Sequence, residues 1–239
     1  MRKLYEKNEI LFAILWIVAY CVILGTLRGN FGDESIFTLI ALIVFAAASA
    51  AFVKTNHLEG KYGLAAWPKD TKKYLFFIPM WILATGNLWG GVSLSPQGAA
   101  LVFPVLSMIL VGYVEEMIFR GFLFRAMLLR NRTAVAVTVS AVTFGAGHII
   151  NLLTGQAGSE TLMQILFAIG WGFILTLVCL RSGSMIPCII AHSLIDAFSK
   201  FAVDNELSDR IYVIATIVVA ILYSLYLARL KEPESPGAH

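Results

Sequence analysis

Apolar runs near 20 residues long recur eight times along this chain, at 10–27, 36–53, 74–94, 99–124, 133–153, 160–180, 185–201 and 211–230. An α-helix rises about 1.5 Å per residue, so a run of about 20 residues crosses the ~30 Å hydrocarbon core of a bilayer. The chain therefore reads as all-α: a polytopic membrane bundle of about eight transmembrane helices. Of its 239 residues 59% are hydrophobic and only 14% charged, with a mean hydropathy of +0.80. Soluble domains are nearer half apolar and about a quarter charged. A soluble globular enzyme, a nucleic-acid binder and a disordered protein are thereby excluded. The length suits one integral membrane domain over 1–239, with a polar tail at about 232–239 that reads as disordered.

The placement of positive charge tests both span count and orientation. With a cytoplasmic N-terminus, the Lys and Arg residues of 1–9, 54–73, 120–132, 181 and 229–231 all fall inside, 15 of the 18 in the chain. Only Arg28, Lys200 and Arg210 fall outside. Adding or removing one span would scramble this division. The expected location is the plasma membrane of a prokaryote with both termini cytoplasmic. The loop 54–73, with Trp67 and Pro68, reads as a solvated basic loop near anionic lipid. The first run is too long for the apolar core of a typical signal peptide and reads as a retained helix. Cys21, Cys179 and Cys188 all lie in apolar runs, an odd number that argues for core packing over a disulfide framework.

Ionisable groups inside spans cost about 2.5–3.5 kcal/mol each at the helix centre, so a chain that carries several has a use for them. Glu115, Glu116 and Arg120 lie in the fourth span. Residues 116 and 120 share a helix face and can pair, while Glu115 points about 100° away toward a different cavity. Two adjacent acids in a dry site suit proton transfer. In the fifth span Phe144 and His148 share a face, and Gly145 and Gly147 allow close approach of another backbone or a substrate. In the seventh, His192 and Asp196 are again four apart, and a carboxylate beside an imidazole fixes its orientation. Asn87 in the third span is a weaker candidate that reads as a helix cross-link.

Depth links the three groups. Glu115 lies 16 residues before Asn131 and His148 lies 17 after it. Both are thus about 25 Å along their helices from the intervening turn. Asp196 lies 13 residues past Gly183, about 20 Å along its own helix. One layer of the bundle can then hold Glu115, Glu116, Arg120, His148, His192 and Asp196.

Glu-Glu-x-x-x-Arg, Phe-x-x-x-His and His-x-x-x-Asp, in this order on separate spans, resemble the motifs of the CAAX protease and bacteriocin-processing family, whose best-known members are the Ras-converting type of CAAX prenyl endopeptidases. The resemblance covers about 112–200, within a motif-bearing core of about 99–201. It implies an intramembrane glutamate protease in which Glu115 and His148 hold and activate a water, Glu116 pairs with Arg120, and His192 and Asp196 lie where the oxyanion is stabilised. The last position is often Asn in the prenyl proteases, and an ionised Asp196 only accepts, which shifts the oxyanion role to His192.

The implied substrate is a peptide or protein, prenylated or membrane-anchored, reached among membrane lipid; an active site open to the cytoplasm would admit C-terminal tails. No nucleic-acid partner and no cofactor are expected. Zinc is the rival within enzymes, since Glu, His and Asp are good ligands, but the chain lacks His-Glu-x-x-His. Rhomboid-type serine chemistry finds only Ser182-Gly183-Ser184, in a loop, and a two-aspartate protease finds only Asp196. A non-catalytic membrane partner or immunity protein of the same family is the rival from another class. A transporter is a third, lowered by the lack of repeat symmetry.

Overall fold

The computed structural model describes residues 1–32, 35–68, 71, 77–94, 98–152 and 155–230. The tail at 232–239, the start of the third expected span at 74 and the end of the fifth at 153 lie outside the described residues. The elements are α1 (Arg2–Lys7), α2 (Glu9–Phe31), α3 (Ile36–Thr55), α4 (Phe77–Ala84), α5 (Ala99–Glu116, continuing without a break to Leu128), α6 (Thr133–Ala146), α7 (Gly158–Ser182), α8 (Ile186–Ser199) and α9 (Glu206–Arg229). This is a polytopic helical bundle. Among the described residues six helices are long and apolar enough to cross a membrane, and α8 is a shorter apolar helix. The third expected span is reduced, in its described part, to α4 and a 3₁₀ turn at Gly86–Leu88. Beyond that turn Ser93 N–H donates to Phe201 O at 2.8 Å, so the backbone there pairs across the bundle end instead of continuing as helix.

The helix ends gather at two faces. At one, Lys61 Nζ lies 2.6 Å from Glu9 Oε2, Met185 N–H donates to Gly63 O at 2.9 Å, and Arg181 donates to Ala228 O at 3.0 Å. The loop after α3 is thus folded onto this face, not merely solvated: Tyr62 is buried, and desolvation pushes its phenol above the ordinary tyrosine range. At the other face Asn151 donates to Gln164 Oε1 at 2.7 Å and Trp89 packs on Tyr212. Of the described Lys and Arg residues, ten sit at the first face, Arg28, Lys200 and Arg210 at the second, and Arg120 is buried between them. Cys21, Cys179 and Cys188 are free thiols.

Helices in lipid associate through small residues that let backbones meet. Gly112 does this for α5 and α8: a Cβ there would lie 2.5 Å from Ser193 N and 2.7 Å from its Cα. Ser193 Oγ donates back to Ile109 O at 3.0 Å. This contact brings Glu115 and Glu116 against His192, one residue from Ser193. Gly112→Ala is expected to force the two helices apart at a cost of about 1–3 kcal/mol, the usual range for overpacking. Unfolding of the detergent-solubilised protein checks this, with Gly158→Ala, where a Cβ meets nothing within 4 Å, as the unchanged control.

Candidate active site

Directly after Glu116 the helix widens to π winding over Met117–Phe124, eight residues that are all buried. Such widened turns cluster at functional sites. Glu116 and Arg120 pair across one turn here, Nη1 to Oε1 at 2.8 Å, with both side chains fully buried. The same oxygen lies 2.9 Å from His192 Nδ1, while Glu116 Oε2 has no hydrogen-bond partner among the described residues. The guanidinium also reaches Gly172 O at 3.4 Å and lies over the Phe144 ring, 4.3 Å from its centroid. The edge-on contacts of Phe144 with His148 (5.9 Å) and His192 (5.4 Å) place one ring between the cation and both imidazoles. The spacing of Phe144 and His148 put them on one face; the contact with Arg120 is a tertiary feature.

Glu115 takes the other direction. Its Oε1 accepts from Tyr20 O–H at 2.8 Å, and its Oε2 lies 3.7 Å from His192 Nε2. That nitrogen is also 3.4 Å from Asp196 Oδ2. Both nitrogens of His192 therefore face carboxylate oxygens. Asn87 donates to Ile195 O at 2.7 Å, cross-linking the 3₁₀ turn to α8 one residue before Asp196.

Glu115, His148, His192 and Asp196 line one cavity of about 340 Å³, walled by Phe144 and Trp171. A smaller space of about 40 Å³ adjoins Glu115 and His148 on the side of Tyr20, large enough for a water molecule. The structure thus brings all six sequence-derived residues into one cluster, Glu116 and Arg120 forming its buried back wall. The cavity opens toward the face carrying Arg28, Gln156 and Lys200, away from the basic face. An opening toward the basic face, expected for cytoplasmic tails, is not what this cavity has: the helices below the site are packed shut, with Ile118, Leu175 and Cys188 fully buried.

Tyr20 is the residue that sequence reasoning missed. It sits in an apolar run on the first span, and only tertiary packing aims its hydroxyl at Glu115. A hydrogen bond to a charged group contributes about 1.5–3 kcal/mol. Tyr20→Phe is accordingly expected to lower turnover by roughly tenfold or more, with little change in KM, read from steady-state kinetics of the purified protein. Among the described residues no three His, Cys, Asp or Glu side chains are disposed to hold a metal ion.

Residues 97–198 match the family described as type II CAAX prenyl endopeptidase Rce1-like. This is a family of peptidases, acting on CAAX-type substrates within membranes. Over 128 residues the chain is also 28% identical to High affinity iron permease 1 of Rhizopus delemar, covering 44% of this chain and 35% of that protein. The chain spans about a third of the length of that relative. The matched residues hold all three motifs together with the cavity-lining Glu115, His148, His192 and Asp196, and over 97–198 the chain is similar to the Rce1-like type II CAAX prenyl endopeptidases.

Proposed function

We propose that this protein is an intramembrane endopeptidase that hydrolyses a peptide bond near the C-terminus of a lipid-modified or membrane-anchored polypeptide, using a water held by Glu115 and His148. The observation that carries this reading is the single cavity shared by Glu115, His148 and His192. The water oxygen adds to the scissile carbonyl carbon while its proton passes to Glu115. The resulting oxyanion is met by the N–H of His192 Nε2, in a ring that Glu116 holds at Nδ1 and that Asp196 flanks at 3.4 Å. Collapse breaks the C–N bond, and Glu115 returns the proton to the departing amine. General base action and oxyanion stabilisation supply the rate enhancement, and no covalent intermediate forms. Arg120 neutralises Glu116 and leaves Glu115 as the base.

The test is cleavage of a panel of quenched-fluorescent prenylated and unprenylated peptides by the purified protein, with and without a strong chelator. Peptide cleavage that survives metal-free purification and chelator is the expected result; cleavage abolished by chelator and restored by zinc contradicts it. The likeness to an iron permease supports a second reading, metal-ion transport. Iron uptake into proteoliposomes, unaffected by Glu115→Gln and accompanied by no peptide cleavage, would favour that one.

A further inference from the structure

The direction of the cavity and the distribution of charge, taken together, identify where the substrate comes from. The cavity runs along the middle of α7, from Gln164 to Leu175, about 16 Å along the helix axis, and continues to residues at that helix's outer end. Its mouth is formed where α2, α7 and α8 end at the second face, with Arg28, Asn151, Gln156 and Lys200 around it. The face that carries ten of the described Lys and Arg residues lies at the opposite end of the bundle. Basic loops of this length mark the cytoplasmic side of a membrane protein.

Resting on the proteolytic reading above, we infer that the site takes its substrate from the extracytoplasmic side: a membrane-anchored polypeptide presenting its cleavable segment at the outer face, not the lipid-modified tail of a cytoplasmic protein. The mouth is polar, with the side-chain amides of Gln156 and Gln164 lining it. A cytoplasmic tail would have to cross the packed layer of Ile118, Leu175 and Cys188 to reach Glu115.

Two single-cysteine variants test the sidedness without relying on activity. In a background lacking Cys21, Cys179 and Cys188, Gly158→Cys marks the mouth and Asn131→Cys marks the basic face; both positions are exposed. A membrane-impermeant maleimide applied to intact cells is expected to label Gly158→Cys, and to label Asn131→Cys only after permeabilisation. The reverse pattern overturns the inference. Substrate entry is then read with an impermeant quenched-fluorescent peptide supplied to sealed vesicles of each orientation, using the wild-type protein with Glu115→Gln as the blank. Cleavage is expected in right-side-out vesicles and lost in inside-out ones; cleavage confined to inside-out vesicles overturns the inference. A protein that labels as expected yet cleaves nothing in detergent removes the proteolytic reading, and the inferred substrate with it, while its labelling still reports the side on which the cavity opens.

Discussion

Glu115→Gln is expected to lower peptide cleavage by roughly 10²–10⁴-fold while leaving the protein folded, the range lost when a general base is removed. The substitution is isosteric, and a glutamine oxygen still accepts from the Tyr20 hydroxyl that lies 2.8 Å from Glu115. The packing of α2 against α5 is therefore retained, and what disappears is the capacity to take a proton from water. His148→Ala is expected to fall in the same range. His148 is half-buried, lines the cavity and forms no ion pair among the described residues, so its loss opens space without stranding a charge there. The double variant is expected to be little worse than either single one, because the two groups hold one water and act as a unit. Initial rates of the purified variants, beside an unfolding measurement that reports an intact fold, check all three outcomes.

Arg120→Ala is expected to cause the largest loss of stability of any single substitution in the site. Arg120 and Glu116 are each fully buried and 2.8 Å apart. Removing one partner of a buried pair leaves an uncompensated charge and costs about 3–5 kcal/mol. Glu116 would retain only His192 Nδ1, at 2.9 Å, as an observed partner. The consequence reaches the catalytic groups, because the stranded carboxylate then competes with Asp196 and Glu115 for the same imidazole. The double variant Glu116→Leu, Arg120→Met removes both charges together, and replacing a buried pair by apolar groups of similar size is often near neutral. It is expected to unfold later than Arg120→Ala and still to be inactive, since His192 has lost the acceptor that orients it. Denaturation of the solubilised variants, read by a probe of helix content, distinguishes the two.

Much of this site is legible in the sequence because its residues are expensive where they stand. Charges within apolar runs are self-announcing, and the four-residue spacings of Glu116 with Arg120 and of His192 with Asp196 translate directly into the contacts at 2.8 and 3.4 Å. Equal distances from the α5–α6 turn likewise place Glu115 and His148 at one depth, and both line the same cavity. What is not legible depends on tertiary packing. Tyr20 carries its polar atom on an aromatic ring that is at home in any apolar span, so its sequence context holds no sign of Glu115. The π winding of Met117–Phe124 leaves no mark in a run of residues that an α-helix would accept equally well. Hydropathy also overstates the regularity of the third span, whose chain turns and pairs by backbone near Ser93 instead of continuing as helix. Nor does periodicity report which end of a layer of polar residues is open. That depends on the side chains packed beneath it, here Ile118, Leu175 and Cys188.

In the proposed mechanism one water, shared by Glu115 and His148, is the nucleophile. The most direct test is a crystallographic map of the protein at a resolution that orders solvent, with an uncleavable peptide bound. The expected result is a single water within hydrogen-bond reach of both the Glu115 carboxylate and the His148 imidazole, about 2.6–3.2 Å from each, with the peptide carbonyl carbon beside it and its oxygen turned toward His192. A peptide carbonyl seated against another side chain, with Glu115 and His148 sharing no solvent, contradicts it.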